Sequence, residues 1–186
     1  MLCVSGRREE LPQRLMEDVG RYRHKVFIGH LGWPLRSSGE IESDEFDGPS
    51  AVYVSSRDER GQVNGVARLL PTTTPYLLEK VFVSLWADSD LPHSEEVWEL
   101  SRFAMVDFNN CSSIATQASS RCAANFFRQV VRVAVENGAR MLITVSPIGM
   151  ERLLRVNGFF AARAGAPKTI NGDSLVALRI DCNIVG

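Results

Sequence analysis

The stretch Trp98-Glu99-Leu100-Ser101-Arg102-Phe103 has the apolar pattern of a strand but contains a carboxylate and a guanidinium group. Apolar neighbours on both sides predict that the strand is buried, where charges need partners. Alternation places Glu99, Ser101 and Phe103 on one face and Arg102 on the other. Glu99 and Ser101 would suit a general base and an orienting hydroxyl at the floor of a cleft. The alternative interpretation is a plain ion pair of Glu99 with Arg102 at a sheet edge.

The bulk composition is that of an ordinary globular protein. A chain of 186 residues, 45% apolar and 23% charged, is predicted to form a single domain over residues 1–186. The net charge of −1 provides no field that favours nucleic acid, so an anionic partner would need a local basic patch. A monomer is expected.

Short motifs exclude several other classes of protein. The four cysteines contain no Cys-x-x-Cys pair and the three histidines lack metal-ligand spacing, so no zinc site, other metal or disulfide framework is predicted. Charged residues begin at Arg7, which leaves no room for the apolar core of a signal peptide. No apolar run has the length of a membrane span. A cytoplasmic protein without membrane association is therefore expected.

Hydrophobic periodicity predicts the elements of the first half. Residues 8–28 are predicted to form a helix that Gly20 divides, and residues 30–50 a long loop. Residues 51–57 and 62–70 have the pattern of two strands of a hairpin. A turn and a short helix are predicted to follow up to Leu85.

The second half alternates strand and helix. A long helix over residues 114–137 is predicted to end at Gly138, and a buried strand follows at 141–145. A helix is expected from Pro147 to about Asn157, and a last strand over 174–180. Neighbouring strands followed by alternating strands and helices predict an α/β fold with a mixed sheet covered by helices on both faces.

A second group of charged and aromatic residues lies in the first quarter of the chain. Arg23 and Phe27 are four residues apart on one helix face, and Trp33, Asp44 and Asp47 follow in the loop. Taken singly, the aromatic residues are typical of a hydrophobic core, the arginine of a solvated helix face and the aspartates of a polar loop. Together they offer a cation, two aromatic faces and two carboxylates, which suits a zwitterionic ligand with an extra positive centre.

Six stretches resemble the N-acyl-homoserine lactone synthases, the autoinducer synthases of bacterial quorum sensing. They occur in family order and at family spacing, and they are Arg21-Tyr22-Arg23-His24-Lys25-Val26-Phe27, Leu31-Gly32-Trp33, Asp44-Glu45-Phe46-Asp47, Gly65-Val66-Ala67-Arg68-Leu69-Leu70-Pro71-Thr72-Thr73, Tyr76-Leu77-Leu78 and Val97-Trp98-Glu99-Leu100-Ser101-Arg102-Phe103. Weaker similarity continues through Met150-Glu151-Arg152-Leu153-Leu154.

The resemblance implies a GNAT-like three-layer α-β-α sandwich with a mixed, largely antiparallel central sheet. It implies two substrates, S-adenosylmethionine and a medium-chain fatty acyl group on acyl carrier protein, and no cofactor. The α-amine would attack the thioester, and the methionine carboxylate would then close the lactone and expel methylthioadenosine. The residues implied to bind S-adenosylmethionine are Arg23, Phe27, Trp33, Asp44, Asp47, Arg68, Phe82 and Arg102.

The implied reaction assigns catalytic roles to one strand. A free α-amine has a pKa of about 8, so a base is needed near neutrality, and Glu99 is the candidate. Ser101 would orient a water or the forming amide. Arg102 would hold a carboxylate if a bulge turns it from the opposite face, and bulges are common in this strand of the fold. Asp44, Asp47 and Arg68 are expected to brace the loop as an ion network.

The resemblance also implies an acyl pocket and a basic docking surface for the acidic carrier protein. The pocket residues are Phe103, Thr144, Ser146, Met150, Leu153 and Leu154, of which the methionine and leucines are equally typical of plain core. Family members with threonine at the position of Thr144 often use 3-oxo or 3-hydroxy chains, and the alternative is a bond to a neighbouring carbonyl. The docking candidates are Arg152 and Arg155, or Arg121 and Arg128, and solvated helix faces are the alternative.

Two rival functions are distinguishable in the sequence. A GNAT-type N-acyltransferase that uses acyl-CoA and another amine would carry a Gly-rich pyrophosphate loop after the central strand. Residues 107–113 at that place contain no glycine. A non-enzymatic sensor of adenosyl compounds would lack Glu99 or the residues implied to bind the sulfonium compound, and neither is lost.

Overall fold

The computed structural model describes residues 2–87, 90–106, 108 and 117–183. The elements in chain order are β1 (Leu2–Arg7), α1 (Gln13–Arg23), a π-helical segment (His24–His30), β2 (Ser37–Ser38), β3 (Ile41–Glu42), β4 (Val52–Arg57), β5 (Val63–Pro71), α2 (Leu77–Val81), a 3-10 turn (Val83–Leu85), β6 (Val97–Met105), α3 (Gln117–Glu136), β7 (Met141–Pro147), α4 (Ile148–Val156), β8 (Ala161–Arg163), β9 (Lys168–Ile170) and β10 (Asp173–Asp181).

The chain forms two compact units, and strands β5 and β6 contribute residues to both. The first unit consists of Met1–Arg68 and Arg102–Phe126, and the second of Leu69–Ser101 and Phe127–Gly186. In the first unit the strand order is β1, β4, β5, β6, with β1 antiparallel to β4. The prediction of one domain over residues 1–186 stays a prediction.

The second unit contains the mixed part of the sheet. Its strand order is β5, β6, β7, β10, β8, and β9 also pairs with β10. Strand β7 is parallel to β6 but antiparallel to β10, and β10 is antiparallel to β8 and β9. The predicted α/β class with a mixed, largely antiparallel sheet is therefore confirmed.

Helix α1 begins after Pro12, later than the predicted start, and it continues through Gly20. The prediction that Gly20 divides the helix is wrong, because this glycine permits close packing. A Cβ atom at Gly20 would lie 2.7 Å from Cγ2 of Ile41, so only glycine lets β3 approach the helix this closely. The inner face of α1 buries Leu15, Val19 and Tyr22, which recur at helical spacing.

Most other predicted elements are confirmed with shifted ends. The hairpin is β4 and β5, the short helix is α2, and the helix after Pro147 is α4. The predicted start of α3 at 114–116 and the glycine-free loop at 107–113 lie almost entirely outside the described residues. Strands β1, β8 and β9, and β2 and β3 within the predicted loop of residues 30–50, were not predicted, because each is short and rich in polar or exposed residues.

Candidate active site

Glu99 lies in the buried part of β6 and caps the start of α2. Its carboxylate is 1% exposed; Oε2 accepts the backbone N–H of Leu77 at 2.9 Å and Oε1 that of Leu78 at 2.6 Å. Both donors belong to the first turn of α2, whose N–H groups have no partner within the helix. The two N–H groups stabilise the negative charge and fix the direction of the carboxylate.

Two other polar groups lie near Glu99 in the second unit. Ser101 follows two residues later in β6 and is buried. Tyr76 immediately precedes α2, and its hydroxyl donates to the Pro92 carbonyl oxygen at 3.0 Å. Burial raises the pKa of Tyr76 above its usual range, and the charges of Glu79 and Glu99 raise it further. The phenol therefore stays neutral beside the carboxylate.

Arg102 interrupts the regular alternation of β6. Its φ is 53°, which lies in the left-handed region of backbone conformations, where a residue other than glycine is strained. Its guanidinium is buried and forms salt bridges with Glu42 at 3.0 Å and Asp44 at 2.8 Å. Simple alternation is therefore wrong at this residue, and the local change of direction that the bulge hypothesis required is present.

The buried charges of the first unit form a closed ring in which every arginine contacts two carboxylates and every carboxylate contacts two arginines. We call it the ion ring, and its members in order are Arg23, Glu42, Arg102, Asp44, Arg68 and Asp47. Three positive and three negative formal charges cancel. The arginines are thus neutralised by the protein itself, which makes the ring chiefly a brace for the loop.

The contacts of the ring are short and mostly two-pronged. Arg23 donates to Asp47 through Nη1 at 2.8 Å and Nη2 at 3.0 Å, and through Nε to Glu42 at 2.5 Å. Arg68 donates to both oxygens of Asp44 and to Asp47 at 2.9 Å. Fork-shaped guanidinium groups match carboxylates in this way, which a lysine could not reproduce.

Electrostatics inside the ring favour the charged forms. Burial alone would raise the pKa of Asp47, but hydrogen bonds and charge from Arg23, with the charge of Arg68, hold it well below its usual range. Burial alone would lower the pKa of Arg23, but Asp47 and Glu42 raise it above its ordinary value. Tyr53 donates to Asp47 at 2.9 Å, and burial with that charge raises the pKa of its phenol.

Glu42 is a ring member that sequence reasoning missed. It lies in β3, its side chain is 0% exposed, and it links Arg23 to Arg102. A lone glutamate in a stretch rich in glycine, serine and acidic residues is typical of a solvated loop. No signal in the single sequence distinguished it from its exposed neighbours Glu40 and Glu45.

The ring also borders a cavity of about 650 Å³ beside α1. Arg23, Glu42 and Asp47 contribute to its lining, together with Met16 and Gly20 of the helix. One side of the ring therefore faces open space along α1.

Two aromatic residues that were predicted to bind the substrate stack on each other beside the ion ring. The rings of Phe27 and Trp33 are 5.2 Å apart at an angle of 22°, and Phe27 is buried whereas Trp33 is half-buried. The guanidinium carbon of Arg102 lies 5.6 Å from the centre of the Phe27 ring. An indole face supported in this way can stack on a cation or a planar base.

The residues predicted to line an acyl pocket are found in both units. In the second unit, the hydroxyls of Thr144 and Ser146 are 3.2 Å apart on β7. Met150 and Leu153 on α4 are half-buried, and Leu154 is fully buried. In the first unit the Phe103 ring stacks on Phe126 at 5.6 Å. Phe82, predicted to bind the sulfonium substrate, ends α2 in the second unit and is half-buried.

The structure brings one arginine of α3 to the end of α4. Arg128 donates to the carbonyl oxygen of Asn157 at 3.2 Å, and its guanidinium carbon lies 5.4 Å from the Phe159 ring. Arg152 and Arg155 are exposed on α4, with Arg155 3.8 Å from Glu151. The second unit therefore carries Arg152 and Arg155 on α4 and Arg128 on α3, and Arg128 contacts the residue that follows α4. Arg121 is an exposed residue of the first unit.

The fold defines a broad class of protein. The chain is similar in structure to an acyl-CoA N-acyltransferase from Pseudomonas aeruginosa, with a TM-score of 0.61 and 14% identity over 96% of this chain and 97% of that one, which shows the fold alone. The class that this similarity defines is a fold class, the GNAT-like fold. The family model described as autoinducer synthase matches residues 8–184. The chain belongs to the autoinducer synthase family and is an acyltransferase of the acyl-homoserine-lactone synthase type.

Relatives and solved structures agree with this family. The acyl-homoserine-lactone synthase of Acinetobacter nosocomialis is 44% identical over 97% of this chain and 100% of its own length. The crystal structure of TofI in a ternary complex with an inhibitor and MTA has a TM-score of 0.85 and 40% identity over 98% of this chain and 92% of that one. The AHL synthase LasI has a TM-score of 0.86 and 33% identity, covering 98% and 90%.

A more distant structure shows the same fold. It is the CoA-dependent acyl-homoserine lactone synthase BjaI with SAM and isopentyl-CoA, with a TM-score of 0.83 and 23% identity over 98% of this chain and 82% of that one. The resemblance on which the expectations rested is therefore confirmed at the level of family. Among the described residues, none of the helices combines the length and apolar character that a membrane crossing requires.

Proposed function

We propose that this protein makes an N-acyl-L-homoserine lactone from S-adenosylmethionine and a medium-chain acyl group, oxygenated at carbon three, on acyl carrier protein. The family supplies the reaction class, and structures of relatives named with SAM or MTA support the sulfonium substrate. The observation that carries the catalytic part is Glu99, a buried carboxylate oriented by two backbone N–H groups. Quorum-sensing signal synthesis in the cytoplasm is the corresponding role.

Glu99 serves as the general base, directly or through one water. It takes one proton from the α-ammonium group, and the freed nitrogen bonds to the thioester carbonyl carbon. The bond from that carbon to sulfur breaks, and the surplus proton on the nitrogen passes to the departing sulfur, which leaves as the carrier thiol. A positioned base of this kind contributes roughly 10²- to 10⁴-fold. Ser101, two residues further on, orients that water or the forming amide. The fixed direction of the carboxylate supports this role, because the base needs no reorganisation before it accepts the proton.

Lactone closure follows without a second base. A carboxylate oxygen of the methionyl group bonds to its own γ-carbon, the bond from that carbon to the sulfonium sulfur breaks, and methylthioadenosine leaves with the electron pair. The reaction needs a folded conformer and a good leaving group, so positioning alone supplies its rate.

The sulfonium substrate is bound by the aromatic pair more than by the ring arginines. Phe27 and Trp33 present a stacked platform for the sulfonium or the adenine. Arg102 was expected to hold a carboxylate and Arg23 to bind S-adenosylmethionine, and the carboxylates that both arginines contact belong to the protein. Their role is to fix the loop that carries Trp33.

The acyl chain binds along β7 and α4, and the carrier docks beside it. Thr144 and Ser146 provide hydroxyls for an oxygen at carbon three, and Met150, Leu153 and Leu154 provide the apolar wall. Arg152, Arg155 and Arg128 supply positive charge for an acidic carrier surface, which a chain of net charge −1 lacks as a whole. Arg121 is a candidate for a second contact.

The decisive experiment follows three products at once. The purified protein is given S-adenosylmethionine with C6 to C12 acyl groups on acyl carrier protein, each with and without a 3-oxo group, and with the same groups on CoA. Free thiol, methylthioadenosine and lactone are measured together. Equal amounts of all three, fastest with a 3-oxo carrier thioester, are expected.

Other outcomes would change the proposal in defined ways. Thiol release without methylthioadenosine would identify a simple N-acyltransferase. Faster turnover with CoA thioesters would replace the carrier protein as donor. If Arg152→Ala with Arg155→Ala raises KM for the carrier thioester but not for S-adenosylmethionine, the docking surface is supported; an unchanged KM removes it. Arg140→Ala, an exposed arginine of the same unit paired with Glu96, is the matched control.

A further inference from the structure

The hydroxyl pair on β7 is unusual in its surroundings. Thr144 is 3% exposed and Ser146 is 9% exposed, and their Oγ atoms are 3.2 Å apart. In the antiparallel register Thr144 lies opposite Leu178 and Ser146 opposite Val176, both of which are buried. Side chains opposite one another in an antiparallel pair share a face of the sheet, so the hydroxyls lie among apolar groups.

The two hydroxyl groups of this pair have two hydrogens to donate but use only one of them in the bond between them. Each hydroxyl carries a single hydrogen, and in a bond between two hydroxyls one donates and the other accepts. Within the described part of the chain, neither side chain makes a hydrogen bond other than the one between them. One buried O–H is therefore left to donate, and such a group is costly unless a ligand supplies an acceptor.

We propose that Ser146 and Thr144 act as one donor unit, with Ser146 as a positioning residue for the oxygenated acyl chain. Ser146 donates to Thr144 Oγ1, so the Thr144 hydrogen is turned away from the pair and presented to a ligand oxygen. Donation also polarises the Thr144 hydroxyl, which strengthens the bond it makes in apolar surroundings. This inference rests on the proposed acyl site along β7 and adds the residue that sets its selectivity.

The test compares two substrates on four proteins. For wild type, Ser146→Ala, Thr144→Val and the double variant, kcat/KM is measured with 3-oxo and unsubstituted acyl thioesters of equal length. Ser146→Ala is expected to lower the preference for the 3-oxo chain about 3- to 10-fold, the effect of weakening one neutral hydrogen bond. The double variant should lose no more preference than Thr144→Val alone, because the pair acts as a unit.

Controls separate this role from a structural one. Thr169→Val and Ser174→Ala remove exposed hydroxyls that face each other across β9 and β10, and they should leave the preference unchanged. Ser146→Thr keeps the hydroxyl and should restore selectivity. An equal loss of kcat/KM on both substrates in Ser146→Ala would overturn the inference, as would additive losses in the double variant or a wild type without 3-oxo preference. Failure of lactone synthesis itself is distinct, because then neither the wild type nor any variant would form lactone.

Discussion

Replacing Glu42 by glutamine would open the ion ring at a single point. Glu42 is 1% exposed, and its two oxygens contact Arg23 Nε at 2.5 Å and Arg102 Nη2 at 3.0 Å. The amide keeps the shape of the side chain but removes one of three negative charges, and its NH₂ group would face a guanidinium N–H. Breaking a buried pair by removing one partner costs about 3–5 kcal/mol. The free energy of unfolding should fall by that amount.

Urea unfolding of the wild type and Glu42→Gln at pH 7 measures this directly. For a chain of this size the corresponding decrease in Tm is roughly 6–20 °C. Glu40→Gln is the matched control, because Glu40 is an exposed residue between β2 and β3, and its effect should stay within about 0.5 kcal/mol. A Glu42→Gln protein as stable as the Glu40 variant would refute the closed ring as a bracing element.

Three other perturbations test the same framework. Asp47→Asn should weaken the fall in the free energy of unfolding at acid pH. The pKa of Asp47 is depressed in the fold, so its contribution to stability is complete above the unfolded pKa of about 3.9 and is lost as the pH falls below that value. Urea unfolding from pH 7 to pH 3 tests this, and a variant whose stability depends on pH as strongly as that of the wild type would contradict it. Gly20→Ala should lower the free energy of unfolding by about 1–3 kcal/mol, because the new Cβ would lie 2.7 Å from Ile41, and adding Ile41→Ala should restore part of that loss. Gly29→Ala is the control with a smaller expected effect, because the nearest atom there is 3.8 Å away. Equal effects of Gly20→Ala and Gly29→Ala in calorimetry would exclude a packing role. Arg102→Lys keeps the charge but not the fork, so lactone formation should fall at least about tenfold, and a lysine variant of normal rate would show that charge alone suffices.

The identity of the ring members was largely predictable, but their arrangement was not. Asp44, Asp47 and Arg68 were expected to brace the loop as an ion network, and Arg68 does pair with both aspartates. Which arginine pairs with which carboxylate depends on contacts 19 to 60 residues apart in sequence. Glu42 could not be recognised, because burial of a polar loop is decided by tertiary packing.

Local rules worked where elements are long and failed where they are short or strained. The hydrophobic pattern located β4, β5, β7 and α4 within a few residues. It missed β1, whose polar residues alternate weakly at a sheet edge. Alternation failed at Arg102 because a left-handed residue changes the direction of the strand, and no residue type in the sequence marked that position.

Removal of the amine proton by Glu99 can be measured as the single-turnover release of the carrier thiol. Glutamine is a poor probe, because its NH₂ group would oppose the N–H of Leu77 or Leu78. Glu99→Ala is therefore compared with the exposed control Glu95→Ala, with and without added formate, after calorimetry shows that S-adenosylmethionine affinity changes less than about threefold.

If Glu99 is the base, thiol release in Glu99→Ala falls roughly 10²- to 10⁴-fold, recovers in part with formate, and is normal in Glu95→Ala. Thiol release at the wild-type rate in Glu99→Ala would show that Glu99 is not the base.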